Sequence, residues 1–407
     1  MGTTKIAAYL VDLQTNRTLA KSSAPNPQIH FGEDVISRIL FCMENQDGNL
    51  TLQKKVVQTL NDLILKMCHE IKADPRQIID AVVVGNTAMH HLFAGLPVRQ
   101  LGLAPYAPAV TDCLYILPSK LGLSVSPFAS IYLPENIAGY VGGDHVAMMI
   151  ASRADGASDT VLALDIGTNT EISLVNEGII HTCSCASGPT FEGAHIHEGM
   201  RASDGAIERI DIEGEKILIQ VIGNQKPIGI CGSGILDAVA EMRKNEIINE
   251  RGNFNPECNR VRGAGKDREF VLVPQEHSGS NRDIVITRKD INEILLAKAA
   301  IQTGIEILLK TAGITSPDQI NRIIIAGAFG TYLDIHSAIR IGMLPDLPVE
   351  RFSQVGNAAG SGARMMLVSN EMRRKGTEFA SRSNYVELTT YPDFQEVYVQ
   401  SLRFPEN

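Results

Sequence analysis

VLALDIGTNTEISLV, residues 161–175, is the stretch on which the fold turns. Val161–Leu164 is wholly apolar, the pattern of a strand buried on both faces. The run ends at Asp165, reverses through Ile166-Gly167-Thr168-Asn169 and resumes as a strand over Glu171–Val175, with a third strand expected at Ile179–Thr182. Glycine allows so sharp a turn and lets the backbone approach a ligand closely. Backbone N–H groups and the Thr168 and Asn169 side chains then converge on one point, which suits phosphate oxygens. Asp165 cannot favourably face phosphate by itself; it makes sense as a ligand, direct or through water, of a Mg²⁺ ion.

The same turn opens the chain. Gly2-Thr3-Thr4-Lys5 leads into a strand at Ile6–Leu13, followed by a second near 17–22. Helical spacing of apolar residues predicts helices at 33–43 and 52–71, and a buried strand at 79–84 runs into Gly85-Asn86-Thr87. Residues 95–135 read as loops with short elements. Beyond the second turn, helices are expected at 234–243 and 290–311. A strand at 323–325 runs into Ala326-Gly327-Ala328-Phe329-Gly330, and a small-residue helix covers 357–368. Recurrence of the turn is a weak internal duplication, and it predicts two similar α/β lobes facing each other across a cleft. The expected division is an N-terminal lobe at 1–155, a C-terminal lobe at 156–370 and a tail at 371–407.

Candidate site residues follow from this frame. Gly2, Thr3, Thr4 and Lys5, with Gly167, Thr168 and Asn169, are the phosphate candidates. Small residues Gly327, Ala328 and Gly330 leave room for a flat adenosine unit. Gly232 and Ser233 precede an apolar helix, where exposed N–H groups and the helix dipole attract anions; a plain N-cap by Ser233 is the alternative. Glu192 is either a general base that orients water or a turn residue in a cap or salt bridge. Asp144 caps a helix or reaches Mg²⁺ through water. Lys298 contacts nucleotide or is a surface residue, and Phe329 stacks on adenine or fills the core. Asn86, Thr87 and His90 lie on a substrate or partner side, His90 alternatively being a capping or surface residue. His195 and His197 lack a third ligand at useful spacing.

Composition narrows the class. A net charge of −9 with no basic stripe argues against a nucleic-acid partner. The run Arg373-Arg374-Lys375 reads as a solvated helix end. Seven cysteines without regular spacing argue against a disulfide framework. No apolar run approaches the roughly 20 residues that span a bilayer, and no signal peptide opens the chain, so a cytoplasmic protein is expected.

These motifs resemble the actin, sugar-kinase and chaperone ATPase superfamily. Gly2–Lys5 resembles its first phosphate loop, Asp165–Thr170 its second and Ala326–Gly330 its adenosine motif. Gly139–Ile150 and Asn357–Leu367 resemble its two connecting helices, and Glu293–Lys298 lies on a helix like the one that packs charged side chains on adenosine. Longer segments are more specific: NPQIHFGEDVISRI at 26–39, VVVGNTAMHHLFAGLPV at 82–98, ASGPTFEGAHI at 186–196, ICGSGILDAVAEM at 230–242 and IAGAFGTYLDIHSAIRIGMLP at 325–345. They resemble the reductive activators of corrinoid proteins. The resemblance implies two ribonuclease-H-like lobes with a nucleotide cleft between them, ATP and Mg²⁺ as cofactors, and a corrinoid protein as partner. It implies ATP-driven return of cob(II)amide to cob(I)amide, with the electron supplied by a [2Fe–2S] domain. The sequence lacks that domain's cysteine run and the strand that should precede Gly2, so an N-terminally truncated module with impaired hydrolysis is expected. A small-molecule kinase of the sugar-kinase type, a non-catalytic nucleotide-sensing scaffold and a homodimer remain open.

Overall fold

The computed structural model describes residues 1–154, 159–327 and 329–406. They form two compact units: Met1–Ser158 with Gly178–Ile180 and Asn357–Tyr385, and Asp159–Glu177 with His181–Gly356 and Val386–Asn407.

The first unit opens with a hairpin of β1 (Lys5–Val11) and β2 (Thr18–Pro25). Then come α1 (Val35–Glu44), α2 (Gly48–Ile71), β3 (Asp80–Val82), α3 (Thr87–Ala94), β4 (Leu114–Ile116), α4 (Pro118–Leu121), β5 (Ser130–Leu133) and α5 (Gly143–Ser152). β5 lies between β3, to which it is parallel, and β4, to which it is antiparallel. The amphipathic stripe of α2 buries Val56, Val57 and Leu63 against Ile6, Phe93, Ile131 and Leu133. Asn86 starts α3 by accepting from the Met89 N–H, and Gly95, at φ 72°, ends it.

The second unit continues with β6 (Val161–Ile166), β7 (Thr170–Asn176), β8 (Ile179–Cys185), β9 (Ala206–Glu213), β10 (Lys216–Val221), β11 (Gly229–Ile230) and α6 (Gly232–Lys244). It runs on through β12 (Val261–Arg262), β13 (Glu269–Val273), β14 (Ile284–Thr287), α7 (Arg288–Thr311), β15 (Arg322–Ala326), α8 (Ile335–Arg340) and β16 (Phe352–Gly356). Its strands lie in the order β16-β15-β6-β7-β8. β6 is antiparallel to β7 and parallel to β15, with Asp165 opposite Ala326. That register carries the Asp165 turn and the Gly327 turn to the same sheet edge, outside the carboxyl ends of parallel strands, where α/β folds bind ligands. The long α7 begins with a capping box, Thr287 and Asp290 exchanging bonds with each other's backbone N–H.

A partition by chain position at about 155 and 370 does not follow these units. Helices α9 (Ala358–Val368) and α10 (Asn370–Arg382) belong to the first, whereas α11 (Phe394–Ser401) belongs to the second. Nor is 371–407 a tail. Phe404 is buried, its N–H donates to the Glu250 carbonyl at 2.8 Å, and the Pro405 carbonyl accepts from Arg243 at 2.9 Å. Arg373, read as solvated, is buried. Its guanidinium pairs with Asp80 at 2.7 Å and lies 4.7 Å from the centre of the Tyr132 ring.

Helices α5 and α9 pack closely because Gly362 has no side chain: a Cβ there would collide with the Ala147 carbonyl, a backbone atom that cannot swing aside. Gly362→Ala should therefore lower unfolding free energy by about 1–3 kcal/mol, the usual cost of overpacking, seen as a lower urea midpoint at unchanged slope.

Candidate functional site

In the second unit, the Gly167 N–H donates to the Asn169 carbonyl at 3.1 Å and closes the turn between β6 and β7. Thr168 is buried, and its hydroxyl donates to Glu192 Oε1 at 2.6 Å, a short bond to a charged acceptor. Thr170 and Ser187 share a hydroxyl–hydroxyl bond of 2.9 Å. Glu192 ends a short 3₁₀ turn, Pro189–Glu192, set between Gly188 at φ 74° and Gly193 at φ 81°. Its carboxylate thus bonds directly to the turn that begins at Asp165, not to a helix cap.

The Gly327 turn lies over the same strand end. Gly327 has φ 96°, and its N–H donates to the Gly356 carbonyl at 3.1 Å. A Cβ on Gly327 would collide with the Ile166 carbonyl and sit 3.0 Å from Asp165 Oδ1, so only glycine lets the backbone cross Asp165 so closely. Gly330 is similarly pressed against the Ala326 carbonyl, and Ala328 lies outside the described residues. One face of Phe329 is taken by Phe191, the rings stacked at 4.6 Å and 14°.

Gly232 and Ser233 stand one step behind this site. The Phe191 carbonyl occupies the space a Gly232 Cβ would need. Ser233 does not cap α6: Cys231 is the N-cap residue and makes no side-chain cap bond, while Ser233 is buried with its hydroxyl 3.3 Å from Cys231 Sγ. Lys298 is not a surface residue. It is 1% exposed, and its ammonium donates to Gln302 at 2.8 Å and to the Arg403 carbonyl at 2.5 Å. Burial pulls its pKa down to about 8, with Glu306 opposing. One of its N–H groups thus goes to its own helix and one to the C-terminal segment.

In the first unit, Gly2–Lys5 forms a turn closed by the Gly2 N–H donating to the Lys5 carbonyl at 2.9 Å. Thr3 is buried, and Asn86 Nδ2 donates to its hydroxyl at 3.1 Å, joining this turn to the start of α3. Gly142 is pressed onto the backbone of Gly85 and Asn86, which brings Asp144 to the same place; its N–H donates to the Gly85 carbonyl at 3.3 Å. Asp144 is not the helix cap, a position held by Gly142, and burial raises its carboxyl above the ordinary range despite the nearby Met1 ammonium.

Two candidates in this unit turn inward. Thr87 is fully buried with its hydroxyl on the Ala138 carbonyl at 2.6 Å. His90 is 2% exposed, neither a cap nor a surface residue. The Ala109 N–H donates to His91 Nε2 at 3.0 Å, so His91 carries its proton on Nδ1 and donates it to the Thr87 carbonyl at 2.8 Å. Two residues that sequence reasoning passed over, Asn26 and Arg38, support the Gly2–Lys5 turn from beneath. One signal was available: Arg38 falls on the apolar stripe of α1, between Val35 and Ile39.

Magnesium is commonly held by one or two carboxylates plus phosphate oxygens, and Asp165 at the strand end fits that role. A plant-type [2Fe–2S] cluster does not fit the described residues. No group of three or more His, Cys, Asp or Glu side chains among them is placed to hold a metal, and His195 and His197 pair instead with Glu293 at 3.8 Å and Glu198 at 3.6 Å. No helix among the described residues is long and apolar enough to cross a membrane.

Comparison with known proteins identifies the family. Residues 1–156 match a family model described as the RACo middle region, and residues 159–407 match the C-terminal domain of RACo, the ASKHA domain. The corrinoid activation enzyme RamQ of Eubacterium limosum is 36% identical over 416 residues, covering 100% of this chain and 70% of RamQ. A [Co(II) methylated amine-specific corrinoid protein] reductase of Methanosarcina barkeri is 24% identical over 439 residues, covering 99% of this chain and 76% of that protein. A solved reductive activator for a corrinoid, iron-sulfur protein superposes with a TM-score of 0.89 at 39% identity. This chain is covered completely but spans only 65% of that structure's chain.

Burial pushes His90 down to about 3, with neighbouring His91 adding to the effect, and burial alone pushes His145 to about 3. Each stays neutral when folded and takes up a proton on unfolding below its ordinary value near 6.5, so stability falls as pH drops from about 6.5 towards 3. Urea titrations at pH 7 and pH 5 should give a loss of roughly 1–2 kcal/mol per histidine, and His90→Gln should lose measurably less between the two than the wild type.

Proposed function

The chain belongs to the RACo family of corrinoid reductive activators, and from that premise we propose that it is the ATP-binding and ATP-hydrolysing module that returns the cob(II)amide of a corrinoid methyl-transfer protein to cob(I)amide. The observation that carries the nucleotide part is the joining of Asp165, Thr168 and Glu192 with the overlying Gly327 backbone at one strand end. Asp165 would hold Mg²⁺, which neutralises phosphate charge when bound. Thr168 and the backbone N–H groups of 167–169 would orient the phosphate oxygens. Glu192 would fix the Thr168 hydroxyl by accepting a hydrogen bond from it, and would serve to orient an attacking water.

The reduction itself adds one electron to cob(II)amide. That electron must come from a low-potential one-electron donor. ATP contributes by differential affinity: it must bind more tightly to the conformation that makes cobalt reducible than to the resting one, and each tenfold preference is worth about 1.4 kcal/mol. A corrinoid methyl-transfer protein is therefore the partner this reading requires.

The test mixes the protein with a corrinoid protein held as cob(II)amide and a low-potential one-electron reductant, and follows the cob(I)amide absorbance. We expect its appearance to require MgATP. Asp165→Asn should cut the MgATP-dependent rate by about 100-fold, in line with loss of a metal-held electrostatic contribution of several kcal/mol. Transfer of phosphate to a small metabolite, with no effect of MgATP on the corrinoid, would replace this reading with a kinase.

A further inference from the structure

The Gly2–Lys5 turn rests on a buried cation. Arg38 is 1% exposed, and its guanidinium donates through Nη2 to the Thr3 carbonyl at 2.5 Å and through Nε to the Gly32 carbonyl at 2.9 Å. Its Nη1 faces Gln28 Oε1 and Met89 Sδ, each at 3.3 Å. Every one of these partners is neutral, and among the described residues no carboxylate lies within ion-pair distance of Arg38. Asp34 raises its pKa only through space, while burial pulls it down to about 10. A buried charge without a counter-ion is costly and ordinarily pairs or neutralises. Arginine keeps its proton at neutral pH, so a net positive charge stays beneath this turn.

The same contacts fix which way the turn faces. Asn26 Nδ2 donates to the Gly2 carbonyl at 2.9 Å, Arg38 to the Thr3 carbonyl, and the Asn26 N–H to the Thr4 carbonyl at 2.9 Å. In a planar trans peptide the N–H of the next residue points opposite to the carbonyl. Drawing these carbonyls inward therefore turns the N–H groups of Thr3, Thr4 and Lys5 outward, away from Asn26 and Arg38. Successive outward N–H groups form an anion-binding concavity. Here the concavity has a buried cation behind it, in addition to the exposed Lys5 of the turn itself.

We propose that Arg38 is a positioning residue for polyphosphate: it orients the N–H groups of the Gly2–Lys5 turn and supplies a buried positive charge, without a directly bonded carboxylate, that draws the phosphates of a nucleotide to it. This rests on the ATP-binding reading above. A residue that only held the fold would affect all nucleotides alike. A buried charge acts on phosphate charge, so its effect must grow with the number of phosphates.

The experiment measures affinity for ATP, ADP and AMP by calorimetric titration in the wild type, Arg38→Gln and Arg38→Lys. We expect Arg38→Gln to weaken ATP by about tenfold, ADP less and AMP least, and Arg38→Lys, which keeps the charge, to recover most of the ATP affinity. Equal weakening for all three nucleotides, or wild-type affinity in a folded Arg38→Gln protein, overturns the proposal. If Arg38→Gln does not fold, Arg38→Lys decides alone: a small loss graded by phosphate number supports the proposal, and an ungraded loss rejects it. Failure of the wild type itself to bind ATP removes the underlying reading, a result distinct from failure of the variants.

Discussion

The second site depends on one close approach, the backbone of Gly327 lying across the end of β6. Parallel pairing of β6 with β15 sets Ala326 opposite Asp165, and the residue after Ala326 must then pass over the Ile166 carbonyl and the Asp165 carboxylate. Any Cβ there would force the two turns apart. With glycine at that point, the register of two buried strands, which hydrophobic burial specifies strongly, also specifies the spacing between a carboxylate and an open stretch of backbone. Thr168 and Glu192 then add direction at 2.6 Å without adding any further backbone constraint.

Much of this was legible. The apolar run ending in Asp165, and the glycine turns after β6 and β15, are local signals, and the strands and helices around them fall within a few residues of where periodicity puts them. The region 206–287 was not read as strands, although Ile210 and Ile212 alternate with polar residues in β9 and Ile217, Ile219 and Val221 do so in β10. These two-residue periods are short, and each strand buries one face only, so the signal is weaker than that of β6. Return of α9 and α10 to the first unit left no local trace, because unit membership is decided by contacts far apart in sequence.

The residues misread share one physical feature. Lys298 was read as a nucleotide contact or a surface residue, Arg373 as solvated, and Arg38 was passed over, because charged side chains are mostly exposed. Each falls where a helix turns inward: Lys298 in line with Ile291, Ile294 and Ile301, Arg373 three residues before Gly376, Arg38 beside Ile39. A long cationic side chain on an apolar stripe is a statement that backbone carbonyls or a carboxylate wait for it in the interior. Lys298 finds the Arg403 carbonyl, Arg373 finds Asp80 and the Met366 carbonyl, and Arg38 finds Thr3 and Gly32. Charge on the wrong face of a helix was the signal available, and it points to anchoring of distant segments more often than to a ligand.

The two turns, alike in sequence, differ in their electrostatics. Around Asp165 the nearby groups are carboxylates, including Glu192 on Thr168, so a phosphate held there meets like charge unless a divalent cation intervenes. Around Thr3 the buried neighbour is a guanidinium, and the N–H groups turn outward because their carbonyls are bound within. There a phosphate would meet outward N–H groups and that positive charge, with the Asp144 carboxyl held near the same turn. On the ATP-binding reading, dependence on Mg²⁺ would belong to the second turn, and direct dependence on phosphate charge to the first. On the reading proposed above, a Mg²⁺ ion would supply the positive charge at the second turn and a buried guanidinium at the first.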